Sequence, residues 1–359
     1  MALKDTVILW LMFNEERPVM RVLHCPRNIS GQAWEYAQGL RALGVDATVL
    51  TFEVHPYGFP QDICLDLPSE PNLFRKEWKR IKNFINVMNQ YDVIHFHFSK
   101  TLLPFYLDLP LLRLRGKRMI MNYWGGDVRL AGIAGAKNRY YRLIAQVERD
   151  KPDIKKIRNI KRVAKHIAVA AVADCELYDY VKPFFKRVIL IPQAIDTRRL
   201  IPIFPNPRRR EPLVVHAPSR PGLKGTSYVE QAIRKLQCKY RFEFMLLHNV
   251  HNRMVRDVFR RADVIIDQLL LGTYGITAIE AMAFGKPVLC YIREDLVSKY
   301  PDDLPIVNAN PDSIEEQLER LLLDARLRTE IGKRSRAFVE RYHDSQVVAQ
   351  KLLRVYERL

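Results

Sequence analysis

The sequence predicts an α/β protein of two domains, each a mostly parallel sheet with helices on both faces. Three observations carry that prediction. Short apolar runs alternate with helical patterns along the chain. The alternation stops once, in a proline-rich stretch near residue 200. The length of 359 residues exceeds one typical core. Strand–helix–strand alternation implies parallel pairing with covered faces, because the crossovers lay helices over the sheet.

Taken in order, Thr6–Phe13 is the first apolar run, and Val7–Met12 within it reads as a buried strand. The run is too short to cross a bilayer. Asn14-Glu15-Glu16 follows it where a signal peptide would carry a small-residue cleavage site. Ala33–Leu43 has apolar residues at helical spacing and ends in Gly44, a stop signal. Asp46–Thr51, Val93–Phe98, Met119–Tyr123, Ile167–Ala173 and Arg187–Ile191 read as further strands. Ile201 to Pro212 holds four prolines and three consecutive arginines and reads as a linker. The pattern then restarts. Leu213–His216, Phe242–Leu247, Val264–Asp267, Val288–Ile292 and Ile306–Val307 are predicted strands. Ser227–Leu236, Thr277–Phe284 and Ser313–Leu323 are predicted helices, the last with Ser313 and Glu316 as a capping box. Arg334–Leu359 is helical by period with a break at Tyr342–Ser345, where Asp344 or Ser345 caps a final helix.

The net charge of +18 attracts polyanions: nucleic acid, anionic lipid or phosphorylated small molecules. No nucleic-acid-binding motif is recognised, so nucleic acid is not an expected partner. Phe74 to Ile85 interleaves Phe74, Trp78, Ile81 and Ile85 with five cations, and Lys137 to Lys165 holds eleven Lys or Arg against Glu148, Asp150 and Asp153. A helix of the first kind suits peripheral contact with an anionic membrane; the plainer alternative is an amphipathic helix packed on its own domain. Cys25, Cys64, Cys175, Cys238 and Cys290 form no C-x-x-C pair and no zinc pattern, which fits a reduced cytoplasmic setting.

Two segments have the make-up of an anion site. Val215-His-Ala-Pro-Ser219-Arg220-Pro-Gly-Leu-Lys224-Gly-Thr226 runs from a strand through a basic loop into a helix. Helix N-termini offer free N–H groups to phosphate, Arg220 can clasp it bidentately and Lys224 adds a point charge. The alternative is a solvated basic turn, and the spacing is not that of a Walker A loop. Gly272-Thr-Tyr274-Gly275-Ile276-Thr277-Ala-Ile-Glu280-Ala-Met-Ala-Phe-Gly285-Lys-Pro-Val repeats the logic. Gly275 permits close backbone approach, and Glu280, one turn into the helix, can accept two hydroxyl hydrogen bonds from a ribose. Its alternative role is to cap local amides or to pair with a nearby cation.

This second segment resembles the signature of family 4 retaining glycosyltransferases, which read E-G-F-G, four residues, then E-A-M-A-x-G-x-P-V. The resemblance extends along the chain. Asn28-Ile-Ser-Gly31-Gln is similar to the family's N-terminal glycine loop, and Asp92-Val-Ile-His95-Phe-His97 to its DVIHxH strand. Ile191-Pro-Gln-Ala-Ile-Asp196 resembles IPNGID, Ala262 to Asp267 the strand before the signature, and the last helix the one that crosses back to the N-terminal domain. It implies a GT-B fold of two Rossmann-like domains facing a cleft. The N-terminal, acceptor-binding domain would take 1–200 with 343–359, and the donor-binding domain 201–342. It implies retaining transfer of a sugar from a nucleoside-diphosphate sugar, UDP or GDP, to a glycan, lipid-linked or small-molecule acceptor, without cofactor or metal. The donor-binding residues implied are Gly31, Ser219, Tyr274, Gly275, Ile276, Thr277 and Glu280; Arg220, Lys224 and Asp127 are the implied catalytic residues.

The sequence departs from the pattern twice. Position 272 is Gly where the family has a sugar-contacting Glu, leaving Asp267, Gln268, Tyr274 or backbone to substitute. Tyr123-Trp124-Gly-Gly-Asp127-Val-Arg129 resembles HGSDxR but puts Trp124 at the His; Asp127 then touches the sugar or acceptor, or caps the following turn. His95 and His97 share a strand face and read as hydrogen-bonded strand-end residues. Three other readings stay open: a nucleotide-sugar epimerase of the same fold, a DNA-glycosylating or nucleic-acid-binding protein, and a GT-B protein without turnover.

Overall fold

The computed structural model describes residues 19–147 and 152–359; the expected strand Val7–Met12 and the acids Glu148 and Asp150 lie outside the described residues. Two parallel sheets organise the chain. The first contains β1 (Arg21–Cys25), β2 (Asp46–Thr51), β3 (Ile63–Cys64), β4 (Val93–His97), β5 (Arg118–Tyr123), β6 (Val169–Val172) and β7 (Arg187–Leu190), in the order β3-β2-β1-β4-β5-β6-β7. The second contains β8 (Leu213–His216), β9 (Glu243–Leu246), β10 (Val264–Ile266), β11 (Val288–Cys290) and β12 (Val307–Asn308), in the order β12-β11-β10-β8-β9. Strand order reverses beside β1 and beside β8. In such sheets a crevice opens at the carboxyl ends of the strands on either side of the reversal, and ligands bind there.

β1 is absent from the sequence-based expectation because Arg21 and His24 interrupt its apolar run. It is nonetheless central, pairing with β2 on one side and β4 on the other, with Val22 to Cys25 fully buried. His24 is tolerated there because its ring bonds to His97 on the neighbouring strand. The helix Gln32–Arg41 buries Ala33, Tyr36, Ala37 and Leu40, the i, i+3, i+4, i+7 stripe expected of it.

The last helix, Ser345–Tyr356, lies on this first sheet. Val348, Ala349, Leu352 and Tyr356 share a core with Val22, Val49 and Ala37. The chain crosses over at Ile195, whose N–H donates to His343 O at 2.8 Å and whose carbonyl accepts from Ser345 N at 2.9 Å. Gly39 makes the packing of the two helices close, since a Cβ there would lie 2.2 Å from Ser345 O. Asp344 caps the last helix, accepting from Gln346 N. Ser313 does not form the expected capping box. Its φ and ψ of −119° and −5° are not those of an N-cap, and Asn310 organises that turn by accepting from Asp312 N and Ser313 N. Among the described residues no helix is long and apolar enough to cross a membrane.

Candidate active site

The C-terminal wall of the cleft grows from the ends of β8 and β10. His216, the last residue of β8, pairs through its two ring nitrogens with Ile266 O and Thr226 Oγ1, both at 2.9 Å, which ties the basic loop to β10. Lys224 is thereby buried, donating to Asp267 Oδ1 at 2.5 Å and Thr277 Oγ1 at 3.3 Å. Asp267 Oδ2 accepts from Gly275 N at 3.2 Å. A buried ammonium thus sits at the N-terminus of the helix Ile276–Ala283, where the backbone adds positive potential. Asp267, fully buried, balances it.

A cleft of about 620 Å³ opens against this wall. Ser219, Arg220, Lys224, Tyr274, Gly275, Ile276 and Thr277 line its C-terminal side, and Ser30, Trp124, Gly126 and Arg129 line the other. Glu280 and Gly31 face an adjoining hollow of about 250 Å³ that shares Ser30 and Ile276 with the cleft. Nine of the ten residues singled out from sequence therefore converge. Glu280, 5% exposed, also takes the alternative role foreseen for it: Oε1 accepts from Arg256 Nε at 2.9 Å and Nη2 at 2.6 Å. Arg256 carried no signal in the sequence, being one of several cations on the helix Asn252–Arg261.

Asp127 does not line the cleft. It is 8% exposed, and its Oδ1 accepts from Trp124 N and Gly125 N at 3.0 Å while Oδ2 accepts from Ser99 Oγ at 3.4 Å. Burial pushes its carboxyl up to about 6 against those hydrogen bonds. The side chain holds the loop that carries Trp124, Gly126 and Arg129 to the cleft.

Gly272 occupies a left-handed turn, φ +83°, and a Cβ there would lie 3.0 Å from Arg293 Cβ. Its carbonyl accepts from Arg293 N at 2.9 Å. A glutamate cannot take this place without strain. Each proposed substitute already has an internal partner: Asp267 holds Lys224, Gln268 Nε2 donates to Thr273 O, and Tyr274 OH pairs with His343 Nε2 at 3.0 Å. Gly272→Glu is expected to destabilise the fold by about 1–3 kcal/mol, read as a lowered thermal midpoint. An unchanged midpoint would refute the steric account.

Other groups in and beside the cleft are held by partners distant in sequence, and of these the sequence predicts the hydrogen bonding of His95 and His97. Arg129 binds Glu176 bidentately at 3.0 and 2.8 Å. Tyr300 OH donates to Asp174 Oδ2 at 2.6 Å and pairs with Thr273 Oγ1 at 2.8 Å, joining the two halves; burial raises the Asp174 carboxyl above its usual range. His24, His95 and His97 bring ring nitrogens within 4.8 Å of one another beneath Tyr36 and Tyr356. His24 Nδ1 meets His97 Nε2 at 3.1 Å, Trp124 Nε1 donates to His97 Nδ1 at 3.3 Å, and His95 Nδ1 meets Tyr356 OH at 2.6 Å. Burial lowers all three, His95 to about 3. They form a neutral hydrogen-bonded layer that supports Trp124.

Residues 224–338 match the family model for glycosyl transferases group 1. No curated protein matches the sequence. Among solved structures, the chain is similar to a sucrose-phosphate synthase from Thermosynechococcus elongatus, at 16% identity and a TM-score of 0.63 over 95% of this chain and 98% of that one. It is similar to Anabaena HepE in complex with UDP and glucose, at 11% identity and 0.60 over 95% and 100%. A third similarity is to WaaG, a glycosyltransferase involved in lipopolysaccharide biosynthesis, at 13% identity and 0.58 over 94% and 99%. The fold of two parallel sheets facing a cleft is that of the GT-B glycosyltransferases.

Proposed function

We propose that this chain, a GT-B protein whose residues 224–338 form a group 1 glycosyltransferase domain, moves a sugar from a nucleoside-diphosphate sugar to an acceptor held against its N-terminal half. The observation that carries the reading is the buried Lys224 at the start of the helix Ile276–Ala283, with Glu280 one turn further on and both open to connected hollows.

Departure of the nucleoside diphosphate is the difficult step. Lys224, Arg220 and the amides of Gly275 to Thr277 stabilise the charge that develops on it, which is the task a metal performs elsewhere, so transfer proceeds without one. Lys224 then lies between Asp267 and the diphosphate, so Asp267 sets its position without consuming its three donors. Glu280 takes the ribose hydroxyls on the oxygen left over from Arg256, and Gly31, Ser219, Tyr274 and Ile276 close around the donor. The acceptor attacks from the face the diphosphate leaves, the leaving phosphate takes the acceptor's proton, and the configuration is retained. Asp127 acts by holding the Trp124–Arg129 loop. UDP is the favoured nucleotide, given HepE's complex with UDP and glucose, and GDP the second.

A cytoplasmic protein with peripheral membrane contact fits the surface. The helix Leu73–Gln90 buries Phe84 and Val87 and leaves Phe74 88%, Trp78 66%, Ile81 42% and Ile85 47% exposed. Arg75, Lys79 and Lys82 stand among them on the same helix. An apolar row flanked by cations matches an anionic bilayer, and with it a lipid-linked acceptor. Incubation with UDP-glucose or GDP-mannose is expected to release nucleoside diphosphate, at a rate unchanged by a chelator. Release that requires added divalent metal would remove the metal-free mechanism, and no release from any donor would remove the reading.

A further inference from the structure

Beside Glu280 lies a further hollow, of about 110 Å³. It shares Ser219, Ile276 and Thr277 with the cleft, so it is continuous with the wall assigned to the diphosphate. Leu247, Val250 and Val255 give it an apolar floor, and Asn249 brings an amide to its rim. The facing wall comes from the other half of the chain. It is made by Tyr57 and Phe59, two rings that the transfer described above does not use. Both are part-buried although they stand in the loop between β2 and β3.

The loop is pinned on both sides. His55-Pro56-Tyr57-Gly58 is a turn closed by Gly58 N donating to His55 O at 3.0 Å, with proline second and glycine fourth as such turns favour. Gly58 has φ +72°, and a Cβ on it would lie 2.2 Å from His251 Nε2, so the turn seats directly on the C-terminal half. His251 caps the helix Asn252–Arg261, accepting from Arg253 N at 3.2 Å, and that helix carries the Arg256 that holds Glu280. On the other side, Asn28 Nδ2 donates to Pro60 O at 2.9 Å while its Oδ1 accepts from Ala33 N at 3.0 Å. Phe59 lies so close to Gly31 that a Cβ there would come within 2.9 Å of its ring. His55 packs against the same ring at 4.7 Å, tilted by 68°. Phe59 is thereby fixed across the hollow from an apolar floor, beside the carboxylate assigned to the ribose.

A nucleoside diphosphate carries its base at the opposite end of the ribose from its phosphates. With the diphosphate at Lys224 and the ribose hydroxyls at Glu280, the hollow is where the base falls. A flat ring with apolar faces and a polar edge suits a slot with an aromatic wall, an apolar floor and an amide at its rim. We propose that Phe59, with Tyr57 beside it, is the base-stacking residue of the donor site, supplied by the N-terminal half of the chain. This rests on the reading of the chain as a sugar transferase. It deepens that reading, because the nucleotide then touches both halves and bridges the cleft by its base as well as by its sugar.

The test is calorimetric titration of the full chain with UDP, GDP and ADP, and with ribose 5-diphosphate, which lacks the base. The wild-type chain is expected to bind at least one of the nucleotides. Phe59→Ala is expected to bind that nucleotide about tenfold or more weakly, and to bind ribose 5-diphosphate as the wild type does. Phe59→Leu keeps an apolar side chain against Gly31 but has no π face, and is expected to weaken the nucleotide to a similar extent. Phe59→Trp is expected to retain it. Nucleotide affinity unchanged in Phe59→Ala or in Phe59→Leu overturns the proposal, since the ring then only packs the loop. Equal weakening of ribose 5-diphosphate overturns it on the same ground. A wild-type chain that binds none of the three nucleotides overturns the transferase reading, and this proposal with it.

Discussion

Lys224→Met is expected to lower turnover by about 10²–10³-fold, the usual effect of removing one donor aimed at developing charge. The substitution has a second consequence that must be separated from the first. Asp267 is fully buried and loses its counter-ion, keeping only Gly275 N. Breaking a buried pair from one side costs about 3–5 kcal/mol. The Lys224→Met/Asp267→Asn double variant removes both charges and is expected to recover most of that stability, because neither member is left alone. It is not expected to recover turnover. A double variant regaining wild-type rates would show that Lys224 serves the fold and not the leaving group.

Acidification is the second large effect. His24, His95, His97, His216 and His343 are buried and held neutral, burial being the first cause in each; His95 is lowered to about 3, and His216 and His343 to about 4. A histidine with a lowered native pKa takes up its proton in the unfolded chain first, so stability falls as pH drops below about 6.5. Three carboxyls oppose this. Burial raises Asp127 and Asp108 to about 6 and Glu35 to about 7, so the native state binds those protons first and gains stability on acidification. Asp174 and His55 also shift, in opposing senses for stability; His166, Glu70, Asp295 and Glu315 are lowered near the surface and add modestly to the loss, so the five buried histidines exceed the three carboxyls by about two protons. The expected loss is about 3 kcal/mol per pH unit between roughly pH 6 and 4.5, which is a large share of a typical net stability. The thermal midpoint should therefore fall steeply across that window. A midpoint that stays level or rises would show that the carboxyls dominate.

What the sequence reveals follows from how local each feature is. β2 and β8 match their predicted bounds, and β10 differs by one residue, because β8 and β10 are short runs buried at every position and β2 puts Ala47, Val49 and Leu50 into the core. β1 was missed because His24 is buried through a partner on another strand, and nothing in Arg21–Cys25 announces that partner. The capping box failed for a related reason: the S-x-x-E spacing is present, but Asn310 three residues earlier takes the Ser313 amide on its Oδ1 and donates its own N–H to Ser313 Oγ.

The site divides in the same way. Lys224, Gly275, Thr277 and Glu280 sit on two loop–helix segments whose spacing alone brings them to strand ends, and they converge. Arg256, Asp174 and Glu176 act through partners far along the chain and leave no pattern. Asp127 marks the limit of strand-end reasoning. The end of β5 places the loop at the cleft, but which residue turns inward is decided by the loop's own amides, and Asp127 turns inward to accept them. Gly272 departs from the family signature for a reason equally local, a left-handed turn pressed against Arg293.

The most direct test of donor recognition is calorimetric titration of the full chain with UDP-glucose, GDP-mannose and ADP-glucose, repeated on Glu280→Ala. One donor is expected to bind with single-site stoichiometry, and Glu280→Ala to weaken it by about tenfold or more through loss of the ribose contacts. Binding of none of the three, or an affinity untouched by Glu280→Ala, would contradict the account.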